Sequence, residues 1–474
     1  MGLSVKKDED FSKWYIEVIK KAQMADQSPI EGCMIFTPNS YAVWENIQKY
    51  MDKRIKETGH SNVYFPLFIP ETFLKKEAEH FSGFVPEVAW VTGGGNSKLN
   101  ERLAIRPTSE TIMYYTFSKW IRSYRDLPLL LNQWCNIVRW ETKSAKPFLR
   151  TKEFLWQEGH TAHETEKEAE EEVLKILNLY KEVMESQLAI PVITGTKTES
   201  EKFKGAVYTT TVEAMMPDGK ALQMGTSHNL GQNFSKPFKI SFLDKEKNKK
   251  YVWQTSWGVS TRTIGALVMV HGDDKGLIMP PRVAPYQAVI IPIYKTGFER
   301  KQVLETCKKV EKELLKEGVR VLLDKRDQYT PGFKFNEWEL KGVPLRIEIG
   351  PMDVKKNQLT LVRRDEKGKT TIKEVKKINN ILEEIQESLF KKAKKFFDEH
   401  IFVAKNFDDF KKIIKGKKGF IKACWCGSQN CEDNIKEKTG ATIRCIPFEK
   451  EKVFSNCVYC SKKAKEVVYF SKSY

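Results

Sequence analysis

The chain has no long apolar run, no glycine-rich phosphate loop, and few cysteines outside its tail. Without about 20 consecutive apolar residues, nothing in it is suited to span a bilayer. The opening MGLSVKKDEDFSKWY has no apolar core of the kind secretory signals use. A cytoplasmic protein with no membrane partner is therefore expected. Neither GxxxxGK[ST] nor GxGxxG occurs, so any nucleotide must be held by something other than those two glycine-rich turns. No internal repeat and no low-complexity tract is present, which leaves an ordinary globular chain of two to four domains.

Positive charge, by contrast, is abundant. Lys and Arg number 80 against 62 Asp and Glu, giving +18 over 474 residues. Such an excess suits a polyanionic partner, because each phosphate contact releases a counterion. Many lysines fall in solvated, helix-like runs such as Lys391 to Lys395, so charge alone does not identify nucleic acid.

Residues 1–283 read as mixed strands and helices. Strands are expected at Asn62–Ile69, Val138–Trp140, Phe154–Glu158, Ala206–Thr211, Leu222–Gly225 and Tyr251–Ser256, which are β-branched or aromatic runs bounded by turn residues. A long helix is expected at Lys167–Gln187, with Val173, Leu174, Ile176, Leu177, Tyr180, Val183 and Met184 on its apolar side. The run PPRVAP (Pro280–Pro285) breaks helix and strand and marks a boundary. Beyond it, strand and helix alternate through Ile349, which predicts a compact α/β domain with parallel strands over 284–390. A helical stretch from Lys373 to His400 leads into a cysteine-rich unit, 391–474.

The chemistry concentrates in RWETKSAKPFLRTKEFLWQEGH (Arg139–His160) and in STRTIGALVMVHGD (Ser260–Asp273). The first sets Arg139, Glu141, Arg150 and Phe154 around a loop between two strand-like runs. The second sets Arg262 at the head of an apolar, helix-compatible segment. Trp156, Glu158 and His160 alternate at period two and share one strand face. These two stretches resemble motifs 2 and 3 of the class II aminoacyl-tRNA synthetases. With RPTSE (Arg106–Glu110), GTSH (Gly225–His228) and KGVPLR (Lys341–Arg346), the chain resembles prolyl-tRNA synthetases of the archaeal/eukaryotic type along essentially its whole length.

The resemblance implies an α+β fold. It comprises an antiparallel-sheet catalytic domain, an α/β anticodon-binding domain and a small zinc-binding α/β domain. It implies attachment of L-proline to tRNA(Pro) in two steps through a prolyl-adenylate, with ATP as substrate and Mg²⁺ as cofactor. Arg139 would contact the α-phosphate and the amino-acid carboxylate, Glu141 would accept from the adenine amino group or steady the hairpin, and Arg150 would hold the β- and γ-phosphates. Phe154 and Arg262 would sandwich adenine. Gln223 and Thr226 would reach metal-bound phosphate or ribose, and Ser260 would lie by adenosine. Thr108 and Glu110 are assigned to the proline ammonium, Trp156 to its ring, and Glu158, His160 and His228 to the rest of the pocket. The other histidines, among them His60, His80 and His400, receive no catalytic role. No general base is expected, since the substrate carboxylate is already ionised. A synthetase for threonine and an inactive tRNA-binding paralogue are the competing readings. Intact Arg139, Arg150 and Arg262 oppose the second. Residues 161–250 leave no room for a large editing insertion. Asn62–Pro70 resembles motif 1, which implies a homodimer.

By the same resemblance Glu339 and Arg346 would read anticodon bases, although an ion pair in a helix–strand corner explains the same two residues. Of nine cysteines, Cys33, Cys135 and Cys307 are scattered among apolar neighbours and read as core thiols. The other six lie between 424 and 460. Cys-x₄-Cys and Cys-x₂-Cys fit a tetrahedral site, so Cys426, Cys431, Cys457 and Cys460 are expected to hold a structural Zn²⁺. Cys426 is preferred to Cys424 because it precedes Gly427 and because the family has Cys-Gly here. Cys445 is expected to face a core. In the resembling family, a terminal tyrosine, here Tyr474, folds back toward the catalytic domain.

Overall fold

The computed structural model describes residues 2–80 and 87–474, with the backbone alone for 76–80, so His80 lies outside the described side chains. The first unit opens with α1 (Phe11–Lys21) and α2 (Pro38–Glu57). Strands β1 (Ser61–Asn62), β2 (Leu129–Val138) and β3 (Glu153–His163) follow, with α3 (Glu110–Trp120) between the first two. The expected strand Asn62–Ile69 is broken. Ser61–Asn62 pairs in parallel with β2, whereas Phe68–Pro70 joins a separate three-stranded sheet. Pro66 lies between them and cannot donate to a ladder. Helix α4 spans Glu166–Glu182 and continues as one wider turn, Val183–Gln187. A capping box fixes its start: Glu168 N donates to Thr165 Oγ1, and Thr165 N donates to Glu168 Oε2. Leu174, expected on the apolar side, is exposed. Then come β4 (Val192–Thr196), β5 (Tyr208–Met215), β6 (Ala221–Gly231), β7 (Trp253–Ser260) and α5 (Arg262–His271). Helices α1, α2, α4 and α5 share one core with the sheet, including Trp14, Ile47, Tyr180, Val212, Val259 and Leu267.

The second unit carries β8 (Ala288–Pro292), α6 (Gly297–Lys316), β9 (Val321–Leu323), α7 (Pro331–Leu340) and β10 (Leu345–Ile349). Strands β9 and β10 flank β8 in parallel, as the alternation predicts. Two further strands, β11 (Leu359–Arg363) and β12 (Thr370–Ile372), extend the sheet antiparallel. Helix α8 (Lys377–Glu399) then runs unbroken through residue 390.

The last unit holds β13 (Ile401–Ala404), α9 (Phe407–Gly416), β14 (Phe420–Trp425), α10 (Gln429–Thr439), β15 (Thr442–Pro447) and β16 (Glu466–Ser471). Strand β15 pairs with β4 through Ile446↔Thr196 and Pro447↔Gly195. This joins the first and last units into one 11-stranded sheet, β13-β14-β16-β15-β4-β5-β6-β7-β3-β2-β1. Behind the seam, the buried Glu213 of β5 accepts from Lys197 Nζ at 2.6 Å and from Arg444 Nη2 of β15 at 3.1 Å.

Candidate active site

Strands β2 and β3 form an antiparallel hairpin with Val138↔Glu153 as its last pair. Arg139 is thus one residue beyond a strand, at the hairpin's mouth. The loop that follows carries Glu141 and Arg150. Trp156, Glu158 and His160 face one side of β3, while Gln157 turns the other way and lies 2.8 Å from Tyr180 of α4. This alternation lets one strand support a polar site on one face and the core on the other.

Two cavities meet here. The deeper, of about 350 Å³, is lined among others by Thr108, Glu110, Trp156, Glu158, His160, Gln223, Thr226 and His228. The outer, of about 460 Å³, is lined by Glu141, Arg150 and the loop between them. Arg139, Phe154, Ser260 and Arg262 border both. Every residue assigned to proline or ATP therefore lies on these two connected walls.

The deep end is acidic and tightly bonded. Thr108 Oγ1 donates to Glu110, and Ser109 Oγ donates to Glu158. Glu158 also accepts from Gln133 Nε2 at 2.9 Å and meets His160 Nε2 at 3.1 Å. Burial alone would push the His160 pKa down, but the bond to Glu158 and the fields of Glu110 and Glu158 outweigh it and raise it. Burial likewise disfavours an ionised Glu158, and is outweighed by His160, Ser109 and Gln133, so its carboxyl is held low. His228 differs. Burial, helped by the charge of His160, drives its pKa down to about 3. Its ring nitrogens lie 2.9 Å from Thr209 Oγ1 and 3.1 Å from Thr226 Oγ1.

The other end is cationic. Arg139 is half-buried, with its guanidinium 5.5 Å from the Phe154 ring and 5.7 Å from the Trp156 ring. Arg262 donates from Nε to Leu149 O at 3.2 Å and from Nη1 to Gln223 O at 3.3 Å. Burial first, then repulsion from Arg139 and Arg150, lower its pKa to about 10. Carbonyls orient this cation without neutralising it, so the junction favours an incoming anion.

In the tail, the sulfurs of Cys426, Cys431, Cys457 and Cys460 lie within 4.8 Å of one another. The Cys426–Cys431 and Cys426–Cys460 separations are 3.6 and 3.8 Å. Four thiolates about 2.3 Å from one Zn²⁺ stand roughly 3.8 Å apart, so this set fits the ion. Cys424 and Cys445 are buried in β14 and β15, outside the cluster. Tyr474 folds back onto the first unit: its hydroxyl donates to Asp218 at 2.7 Å, and Lys146 Nζ lies 5.5 Å from its ring. In the second unit Glu339 and Arg346 line one small cleft with Trp338 and Arg363. Both are ion-paired, Glu339 with Lys275 at 2.7 Å and Arg346 with Glu348 at 3.0 Å.

Three family models match in succession: tRNA synthetase class II core domain (G, H, P, S and T) over 90–271, anticodon binding domain over 287–388, and prolyl-tRNA synthetase C-terminal over 407–474. Among similar proteins, the proline–tRNA ligase of Alkaliphilus oremlandii is 55% identical over 98% of this chain and 96% of its own length. That of Natranaerobius thermophilus is 54% identical over 98% and 97%. Proline–tRNA ligase 2 of Bacillus cereus is 55% identical over 99% and 98%. The chain belongs to the prolyl-tRNA synthetases.

Several residues around this prolyl-tRNA synthetase cavity carry no signal in the motifs. Glu201, Phe203 and Thr209 line it, and the Phe203 ring lies 4.8 Å from that of His228. Phe203 is a lone aromatic in a polar loop, which is the one cue the sequence offers. Cys135, expected in a core, is only partly buried and sits behind Trp156, a residue of the cavity wall. Trp156 Nε1 donates to its sulfur at 3.3 Å. Burial, then Glu158, push its thiol pKa up to about 12. Cys33 is likewise only partly buried, while Cys307 is a core thiol as expected.

Proposed function

We propose that the two joined cavities activate proline with ATP, and that Arg139 is where the substrates meet. Membership of the family carries the overall reaction, ATP-dependent attachment of L-proline to tRNA. The observation that carries the site is the polarity of the cavity pair: carboxylates at the deep end, and Arg139, Arg150 and Arg262 toward the outer. An amino acid enters such a field ammonium first, toward Glu110 and Thr108, with Trp156 against its ring. Its carboxylate is then left at Arg139, facing the α-phosphate. Two anions must approach, and Arg139, Arg150 and Arg262 supply fixed positive charge for the transition state. Phe154 and Arg262 would hold adenine, Glu141 its amino group, and Ser260 the adenosine. Gln223 and Thr226 would hold phosphate or ribose together with Mg²⁺, which supplies further charge neutralisation when bound. The carboxylate needs no base, and the phosphate oxygen released in the second step takes the tRNA hydroxyl proton.

Arg139→Ala and Arg262→Ala should each cut proline-dependent ATP–pyrophosphate exchange by about 10²–10³ with the fold intact. Wild-type exchange in either variant would refute the site.

The division into 1–283, 284–390 and 391–474 is supported by family models falling within each part. Glu339 and Arg346 would read the anticodon, and their shared cleft supports a common role. A homodimer through Asn62–Pro70 is supported by Tyr64 and Phe68, which are 70% and 44% exposed. The archaeal/eukaryotic architecture is supported by the C-terminal unit and the inward-folded Tyr474, in a chain whose similar proteins named above are bacterial. Four clustered thiols support structural zinc. Among the described residues no helix is long and apolar enough to cross a membrane, and a cytoplasmic location suits a tRNA substrate.

A further inference from the structure

The segment closing one side of the deep cavity is held from outside, by the C-terminal unit. Thr198 begins a tight turn in which Glu201 N and Lys202 N donate to its carbonyl at 3.2 and 2.9 Å. This turn carries Glu201 and Phe203 to the cavity wall. Phe203 N donates to Thr209 Oγ1 at 2.9 Å, and that hydroxyl is the one beside His228 Nδ1. At the turn's other end Thr198 Oγ1 donates to Glu432 Oε1 of α10 at 2.7 Å, with both residues 3% exposed. The preceding residue, Lys197, donates to Arg444 O of β15 at 2.9 Å. Two successive residues at the root of the pocket wall are thus fastened to a different unit of the chain. Lys436, one helical turn after Glu432, lies 3.7 Å from Glu201.

We propose that Glu432 is a positioning residue for the amino-acid pocket. Through Thr198 it sets the 198–203 turn, and so the pressure of Phe203 on His228. The C-terminal unit thereby controls affinity for the amino acid and not for ATP. The inference rests on the deep cavity being the proline pocket. Its physical basis is that a buried hydrogen bond to a carboxylate is among the stronger ones a protein makes, and losing it frees the turn. None of the ATP-facing residues, Arg150, Arg262 or Gln223, lies on that turn.

The test is steady-state pyrophosphate exchange with the full chain, varying proline and ATP separately. Glu432→Ala and Thr198→Val should each raise KM for proline about tenfold. KM for ATP, kcat and zinc content should stay near wild type. Glu432→Gln keeps an acceptor and should restore most of the affinity. The double variant should lose no more than the worse single one, because both remove the same bond. Phe203→Ala is the control. If it raises KM for proline while Glu432→Ala and Thr198→Val do not, this inference fails and the pocket assignment stands. If Phe203→Ala has no effect on KM for proline, this inference fails; only Trp156→Ala without such an effect would overturn the pocket assignment as well. An equal rise in KM for proline and ATP also refutes the proposal. Should Glu432→Ala not fold, Thr198→Val carries the test from the catalytic side.

Discussion

Two histidines share one pocket and should respond to pH in opposite senses. His160 has its pKa raised by the Glu158 bond and nearby carboxylates, which together outweigh burial. Its charged form therefore adds stability that is complete below the unfolded value of about 6.5 and is lost as pH rises through the raised native value. His228 is held down to about 3, chiefly by burial. Its contribution is complete above about 6.5 and is lost as pH falls, because the unfolded chain gains a proton that the native state refuses. Relative to wild type, His160→Asn should thus become less stable as pH falls from 9 to 6. His228→Asn should become relatively more stable from pH 7 to 5. Urea unfolding across that range decides it, and slopes of the same sign would contradict the two assignments. At this scale the sequence was most legible where spacing alone constrains geometry. The period-two set Trp156, Glu158 and His160 faces one cavity, and the arginines of two distant segments meet there. Ser109, Gln133 and Cys135 were not legible as partners of Glu158 and Trp156, because those contacts depend on how separate segments are laid side by side.

Strands and helices carry a different kind of information. The β2–β3 hairpin was readable in part: Phe154–Glu158 lies inside β3, whereas the strand expected at Val138–Trp140 ends at Val138 and runs upstream to Leu129. The 62–70 segment looked continuous, yet its two ends enter different sheets, and only the position of Pro66 hinted at a break. β11 and β12 were missed because their charged and turn-forming residues, LVRRDEKGKTTI, hide the alternation. Gly159 in β3 illustrates a constraint that no pattern reveals. It stands opposite Trp257 of β7, and a Cβ at Gly159 would lie 2.1 Å from the indole. Rigid ring and rigid strand cannot both yield. Gly159→Ala should cost about 1–3 kcal/mol as an overpacked core, seen as a lowered Tm, and should weaken proline binding through the neighbouring Glu158 and His160. A variant as stable as wild type would show that the β3–β7 pair opens freely.

For the whole molecule, three units were legible in order but their fusion was not. Composition marks Pro280–Pro285 as a boundary and the cysteines as a tail. Nothing in either announces that β15 continues the catalytic sheet, or that Arg444 shares Glu213 with Lys197. The four-cysteine cluster sits in the same unit, so an ion held there would serve the architecture. Substituting Cys426, Cys431, Cys457 or Cys460 by Ser should lower bound zinc and open the tail to protease, since a bound ion would tie the end of β14, the start of α10 and the 457–460 turn together and so add folding free energy. Cys424→Ser and Cys445→Ser should leave the zinc content unchanged. Metal analysis that showed dependence on Cys424 would overturn the ligand set.

The seam between β4 and β15 also bears on the order in which the protein is made. Synthesis runs from the N-terminus, and domains generally fold as they emerge. The strands β1–β7 of the first unit and the residues lining both cavities are complete in sequence by α5. At that moment β4 still has a bare edge, and Gly195, where a Cβ would lie 2.2 Å from Ile446 O, faces only water. A bare edge is a template for pairing with another chain. It is covered once translation has passed Pro447, the residue that meets Gly195. A message truncated before that codon would yield a chain with Arg139, Arg150 and Arg262 in place and an open, adhesive flank. Ribosomes stalled late on this message would accordingly release aggregates.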